Sequence, residues 1–387
     1  MRSRKKRERT AGRRIRRIAA VVILAPLLIL GAVLGWLTLA EYRPADVEAL
    51  EIRYGGENAD AAAQTAAGAP VSSGDALKIM TWNIGYGCLG DNADFFMDGG
   101  THVKTADRHR LAENMEAILE ELRQEAPDAV LLQEVDAGSA RSYNLDETAL
   151  LHAAFPEQAG SVAPNMRVPF IPYPIPPIGK VDAGVMTLSR LRVTDAARLQ
   201  LPVPFTWPVR IANLKRCLMA SRIPVVDENN AETGKELVLV NLHLEAYDSG
   251  EGKAAQTAML RDFLNEEAAK GNYVIAGGDF NQRFSSVDPS LYPELEGMWH
   301  CGELDVSEFG DEWDFVTDAG TPTCRSLDKS YVNADGTAPS HDPSAFQFYV
   351  IDGFIISRNV ELADVRTKDL GFAHSDHNPV VMQVTLR

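Results

Sequence analysis

Three observations predict an α/β fold of mixed sheets with helices on the outer faces, preceded by one transmembrane helix. Over residues 77–387 short apolar runs alternate with amphipathic stretches, some joined at hairpin spacing and others through helices, which requires mixed strand directions. Near the N-terminus, Ile18–Ala40 carries no charged residue and exceeds the roughly 20 apolar residues that cross a hydrocarbon core. Composition agrees: 45% hydrophobic and 24% charged residues supply a sizeable core and exclude a wholly disordered chain.

In chain order, residues 1–17 form a basic tail, with ten Lys/Arg against Glu8 within the first 40 residues. Removing that tail and the apolar span turns the net charge of −16 into −25 for residues 41–387, so the body is strongly acidic. A basic flank before the span and Glu41, Asp46 and Glu48 after it predict a cytoplasmic N-terminus and an extracytoplasmic body at the cell membrane. A cleaved signal peptide is the competing reading, but its apolar region runs about 7–15 residues and Thr38-Leu39-Ala40 is a mediocre cleavage site. Residues 41–76 read as a flexible linker because Gly55–Asp75 is rich in Ala, Gly and Ser.

From Leu77 the predicted strands are Leu77–Asn83, Ala129–Glu134, Ala183–Ser189, Leu237–His243, Tyr273–Ala276, Phe348–Ile356 and Pro379–Leu386. Helices are predicted over Arg108–Glu125, Leu145–Ala154 and Gly252–Lys270, and a long hairpin joins Val209–Val226 to Glu236–His243. Five prolines in Val168–Ile178 enforce a stiff apolar loop, and Leu201–Val209 repeats that chemistry with Phe205 and Trp207. Of four cysteines, Cys217 reads as a buried thiol and Cys301 with Cys324 as the one plausible disulfide.

Polar residues fall at the strand ends: Asn83, Gln133-Glu134, Asn241 and His243, Asp279 and Asn281, Asp352, and Ser375-Asp376-His377-Asn378. Singly each has a bland explanation as a turn residue or cap. Asp352 resists one, because a carboxylate among Val350, Ile351, Phe354 and Ile355 needs a partner if buried. Glu134, Asp279, Asp376 and Asn83 offer the hard oxygen donors suited to Mg²⁺ or Mn²⁺. Two imidazoles add proton transfer and charge stabilisation, and Asp352 can hold one of them in a single tautomer. The set suits hydrolysis of a phosphate ester.

The ordered segments Lys78-Ile-Met-Thr-Trp-Asn83, Leu131-Leu-Gln-Glu-Val135, Ala183-Gly-Val-Met-Thr-Leu-Ser-Arg190, Val240-Asn-Leu-His-Leu244, Gly277-Gly-Asp-Phe-Asn281, Ile351-Asp352 and Ser375-Asp-His-Asn-Pro-Val380 resemble the endonuclease/exonuclease/phosphatase superfamily. That resemblance spans residues 77–387 and implies a four-layer α/β/β/α sandwich with the active site at one end. It implies Glu134 as principal metal ligand with Asn83 and Asp376 nearby, and Asp279 and Asn281 positioning water and phosphate. His377, oriented by Asp352, is implied as the usual general base and His243 as the phosphoryl stabiliser; whether Asp279 or His377 takes the proton stays open. Arg141, Arg190 and Arg325 are candidates for phosphate contact.

The expected function is therefore a membrane-anchored, Mg²⁺- or Mn²⁺-dependent phosphoesterase using in-line water attack. A body at −25 offers no broad cationic track for nucleic-acid phosphates, so a lipid headgroup or small phosphoester is favoured over DNA or RNA. A non-catalytic binding module is the remaining alternative, disfavoured because the chemical set is complete.

Overall fold

The computed structural model describes residues 2–54, 68–333 and 343–387. In chain order they form α1 (Arg2–Leu39), β1 (Val47–Ala49), β2 (Val71–Ser72), β3 (Ala76–Asn83), α2 (Arg108–Glu125), β4 (Ala129–Asp136), α3 (Glu147–Ala154), β5 (Ala159–Ile171), β6 (Gly179–Ser189), β7 (Asp195–Gln200), β8 (Cys217–Val226) and β9 (Glu232–His243). There follow α4 (Glu251–Ala269), β10 (Tyr273–Asp279), β11 (Arg283–Phe284), β12 (Glu303–Leu304), β13 (Trp313–Val316), β14 (Cys324–Arg325), β15 (Phe348–Tyr349), β16 (Asp352–Ser357), β17 (Val360–Thr367) and β18 (Val380–Leu386).

Two mixed sheets pack face to face. One runs β17-β18-β3-β4-β6-β5, the other β1-β7-β8-β9-β10-β16-β13 with β2 attached to β8. Each has a parallel pair at its heart, β3/β4 and β9/β10, joined by a helical crossover through α2 and α4. Parallel neighbours need such a crossover, and it carries the helices to the outer faces.

Period-2 alternation sorts the side chains. Ile79, Leu131, Leu237, Leu239 and Ile275 meet between the sheets, whereas Met80, Trp82, Val130 and Leu132 face α2 and Val238, Val240 and Val274 face α4. Helix α2 answers with Leu111, Met115, Ile118 and Leu122 at helical spacing, and Asp107 caps its start by accepting from the Arg110 N–H at 2.8 Å. Toward one end of the sandwich the inter-sheet core turns polar: Gln133 Nε2 donates to Asn241 Oδ1 at 2.8 Å, and Asn241 Nδ2 donates to the Leu132 and Met186 carbonyls.

Helix α4 is also held electrostatically. Arg222 of β8 donates to Glu267 at 2.6 Å and to Glu236 at 2.7 Å, while Lys270 and Asn272 also reach Glu267. Burial opposes the Glu267 charge, but these donors outweigh it and hold the carboxyl down at about 2. A depressed acid stabilises the fold above its ordinary value of 4.5 and loses that contribution as pH falls toward 2. Glu267→Gln is accordingly expected to flatten acid unfolding across that window, read by circular dichroism against pH.

Helices α2 and α4 lie where expected, whereas the segment after the span differs from the linker predicted over 41–76. Residues 55–67 lie outside the described residues, but β1 pairs with β7, Arg53 bridges Gly160, and β2 pairs with β8. Val71 is fully buried because its side chain joins the inter-sheet core, so the folded body begins before Leu77. A fragment 77–387 is expected to melt below 41–387 in parallel thermal scans, since it uncovers the edge of β7 and part of that core.

The Pro-rich stretch departs too: β5 continues to Ile171 as an edge strand, which prolines tolerate, before the loop begins. The predicted hairpin starts at Cys217, because Val209–Ala212 is a short 3-10 turn. The strand over Phe348–Ile356 is interrupted at Val350-Ile351, where the chain leaves β14 for β10. All four cysteines are free and buried, so no Cys301–Cys324 bridge forms, although both pack in one cluster with Tyr349 and Ile351.

Candidate active site

The C-terminal ends of all four central parallel strands lie at the same end of the sandwich, as ligand sites in open α/β sheets do. Alternation that places Ile79, Leu239 and Ile275 in the inter-sheet core places Asn83, His243 and Asp279 on that inner face at the strand ends. Antiparallel β16 begins there with Asp352 opposite Asp279, and the Ser375–Pro379 loop enters beside Asn83 before β18. Glu134 would alternate outward, but it adopts φ 53° where the β4/β6 register slips, a bulge that re-aims its carboxylate. Gly278 lets β9 and β10 close up: at φ 151°, a Cβ there would lie 1.9 Å from the Leu242 carbonyl oxygen.

Asp279 is central. Its Oδ2 lies 3.4 Å from His243 Nε2 and 3.8 Å from His377 Nε2, and accepts from Asn83 Nδ2 at 3.1 Å. Its Oδ1 accepts the Asn281 backbone N–H at 2.9 Å. His377 Nδ1 meets Asp352 Oδ2 at 2.8 Å, leaving Nε2 directed into the cluster. Asn83 Nδ2 also donates to Glu134 Oε1 at 3.3 Å, while its Oδ1 accepts the Gly85 N–H. As placed, then, Asn83 bridges two carboxylates through its amide nitrogen and does not present its oxygen outward as the predicted metal ligand would.

The electrostatics separate the two imidazoles. Burial opposes charge on His377, but Asp352 outweighs it and holds the ring well above the usual imidazole range. Burial, with the positive charges of Arg216 and His377, holds His243 well below that range and keeps it neutral. Burial and the nearby Asp352 charge push Asp279 up to about 6. Burial also lifts Asp376 to about 7, against the pull of His377, with Glu134 adding repulsion.

Asp376 has no ion pair among the described residues, and its side chain accepts only from Ser375 Oγ, at 3.4 Å. Buried carboxylates this poorly compensated beside Glu134 fit a hard divalent cation, which prefers oxygen donors. Ligand atoms of Cys324, Asp376 and His377, and of Asp279, Asp352 and His377, lie within 4.8 Å of one another.

The three predicted arginines divide. Arg141 lies at the site, stacked 3.7 Å from the Tyr86 ring centroid and paired bidentately with Asp136 at 2.9 and 3.2 Å. Arg325 lines the cavity, but its guanidinium donates to the Gly90, Ala93 and Ser326 carbonyls and ties those loops together. Arg190 is not at the site: Ser189 pairs with Ala129 at the start of β4, five positions from Glu134, on the order of 15 Å away along the strand. It reaches the Ala126 carbonyl instead.

Residues the sequence did not single out also contribute. Arg216, buried and 3.4 Å from Glu245, donates to the His243 carbonyl at 3.1 Å; its signal was two cations directly preceding an apolar strand. Across the mouth, Tyr247 Oη donates to Asp98 at 2.9 Å, closing a contact between loops far apart in sequence. Beyond the polar cluster opens a cavity of about 680 Å³, walled by Phe96, Ile171, Tyr173, Val209, Leu214 and Trp299.

Known proteins share the fold. A crystal structure of an endonuclease/exonuclease/phosphatase from Beutenbergia cavernae is similar at 19% identity and TM-score 0.50, covering 80% of this chain and 72% of that one. The human Nocturnin catalytic domain with bound sulfate matches at 18% identity and TM-score 0.46 over 81% of this chain and 95% of its own. Caenorhabditis elegans TDP2 matches at 16% identity and TM-score 0.46, over 80% of this chain and 75% of that one. No curated protein matches the sequence. The model of the Endonuclease/Exonuclease/phosphatase family matches residues 80–377, from the strand that carries Asn83 to His377 itself. The chain belongs to the endonuclease/exonuclease/phosphatase family and carries its hydrolase fold.

Proposed function

We propose that the protein is a divalent-cation-dependent phosphoesterase, anchored in the cell membrane by α1 with its body outside the cytoplasm. The observation that carries the activity is the convergence of Asn83, Glu134, His243, Asp279, Asp352, Asp376 and His377 from separate segments onto one end of the sandwich. Arg17–Leu39 is long and apolar enough to span a membrane, and the preceding basic residues favour the cytoplasm.

Glu134 and Asp376 would hold Mg²⁺ or Mn²⁺, with Asn83 beside them. When bound, the cation supplies positive charge to a phosphoryl oxygen. Asp279, reached by both imidazoles and oriented by the Asn281 N–H, takes the proton from an attacking water. His377, kept protonated by Asp352, directs a charged N–H from Nε2 at the phosphoryl group, and neutral His243 directs its Nε2 at the same region. Asn281 acts through its backbone, because its side-chain amide donates to the Leu244 carbonyl.

An acidic body and an apolar cavity favour a lipid headgroup or small phosphoester over nucleic acid. A panel of phospholipids, bis(p-nitrophenyl) phosphate, phosphorylated inositols, RNA and DNA tests this with the full chain in Mg²⁺. Turnover is expected to be highest on the lipids or small esters; a preference for DNA at moderate salt would reverse the ranking.

A further inference from the structure

Where α1 ends, the chain is clamped to the body instead of hanging free. Glu41, directly after the apolar span, has a fully buried side chain and receives Arg210 Nε at 2.9 Å and Lys215 Nζ at 3.5 Å. One turn earlier, Thr38 Oγ1 accepts from Trp207 Nε1 at 3.2 Å, and Leu37 is buried. On the following residue, Tyr42 lies 5.5 and 5.8 Å from the guanidinium groups of Arg167 and Arg198. The body therefore has a set orientation relative to the helix.

At about 1.5 Å rise per residue, Thr38 sits within a few ångströms of the end of the apolar span, so Trp207 sits at the level where a spanning helix leaves the hydrocarbon. Trp favours that level, with its ring in apolar surroundings and its N–H satisfied. The Leu201–Val209 loop does not stand alone. Ile178, from the Pro-rich loop, and Ala212 pack on one cluster with Ile171 and Val181, so the two loops are neighbours. Both present large apolar side chains outward: Ile175 is 94% exposed, Tyr173 69% and Trp207 54%. Large apolar side chains exposed together on two neighbouring proline-rich loops are unfavourable in water and mark a contact surface. Although the body carries −25, the exposed Arg43 and Arg167 and the half-exposed Arg210 gather around this edge, each paired with a carboxylate (Glu41, Asp182 and Glu41) yet with its guanidinium still reaching solvent, where it suits anionic headgroups. Tyr173 and Val209, from these same loops, also line the cavity that leads to Asp279 and His377.

We propose that these two loops seat the mouth of the cavity on the bilayer surface, so that the substrate enters from the membrane as an amphiphile with a phosphoester head. The substrate half of this inference rests on the phosphoesterase reading and on α1 spanning the membrane; the seating half rests on the clamp and the exposed loops.

The test uses the full chain in vesicles of roughly three parts phosphatidylcholine to one of phosphatidylglycerol. A fluorophore on Ile175→Cys is expected to be quenched by shallow nitroxide lipids at least about fivefold more than one on Arg190→Cys at the far end. In parallel, the double variant Ile175→Asp/Trp207→Asp should hydrolyse vesicle phospholipid about tenfold more slowly than the unmodified chain, with unchanged turnover of bis(p-nitrophenyl) phosphate. Equal quenching at the two positions overturns the seating. Burial of the label that depends on a second copy in the same bilayer, and not on lipid, also overturns it. Equal loss on vesicle and soluble substrates in the double variant overturns membrane entry of the substrate. Quenching at 175 with no hydrolysis of either vesicle phospholipid or the soluble ester by the unmodified chain leaves the seating standing and removes the phosphoesterase reading, so the two failures are distinguishable.

Discussion

Asp279→Asn is expected to lower kcat by about 10³-fold while leaving the fold intact, the size of effect that follows loss of a positioned proton acceptor. The amide retains an oxygen for the Asn281 N–H but cannot take a proton from water. Stability should move the other way. A carboxyl raised from 3.8 to about 6 by burial and by Asp352 costs the native state stability as pH rises through that interval. Above pH 6 the uncharged amide removes that cost, so the variant should melt at an equal or higher temperature than the parent. A variant both inactive and unstable would make Asp279 a structural residue; an inactive and undiminished or stabilised one assigns it to the chemistry.

Glu134→Gln is expected to raise the Mg²⁺ concentration for half-maximal activity by more than the roughly 10–100-fold that follows loss of a group behind the ligands. The glutamine oxygen can still accept from Asn83, so the bulge persists and the thermal midpoint in chelator should match the parent. A titration of activity against Mg²⁺ separates this from Asp279→Asn: excess cation restores part of kcat in the Glu134 variant and none in the Asp279 variant. Equal cation requirements in parent and Glu134→Gln would remove Glu134 from the cation site.

How much of this was legible in the sequence follows from what each position depends on. Asn83, His243 and Asp279 were legible because strand alternation and strand termination are local, and a polar residue ending an apolar inner face announces a site. Asp352 was legible from the cost of burying it, and its partner His377 meets it at 2.8 Å. Two of the three arginines were not. Arg325 became a tie between loops through backbone carbonyls and Arg190 fell at the wrong end of β6, both set by tertiary register and invisible to composition. Glu134 depends on a bulge, and the Asn83 Nδ2 bond to its carboxylate depends on that bulge in turn. β1 escaped notice because it is three residues long, and its partner β7 was not predicted as a strand.

In the proposed function, carboxylates gathered at the strand ends hold a cation that switches on phosphoester hydrolysis. The most direct measurement is turnover of bis(p-nitrophenyl) phosphate by the full-length protein as Mg²⁺ is titrated against a chelator. Hydrolysis at background in chelator, rising to a saturable maximum with Mg²⁺ or Mn²⁺, is the predicted result. Undiminished hydrolysis in chelator would contradict it.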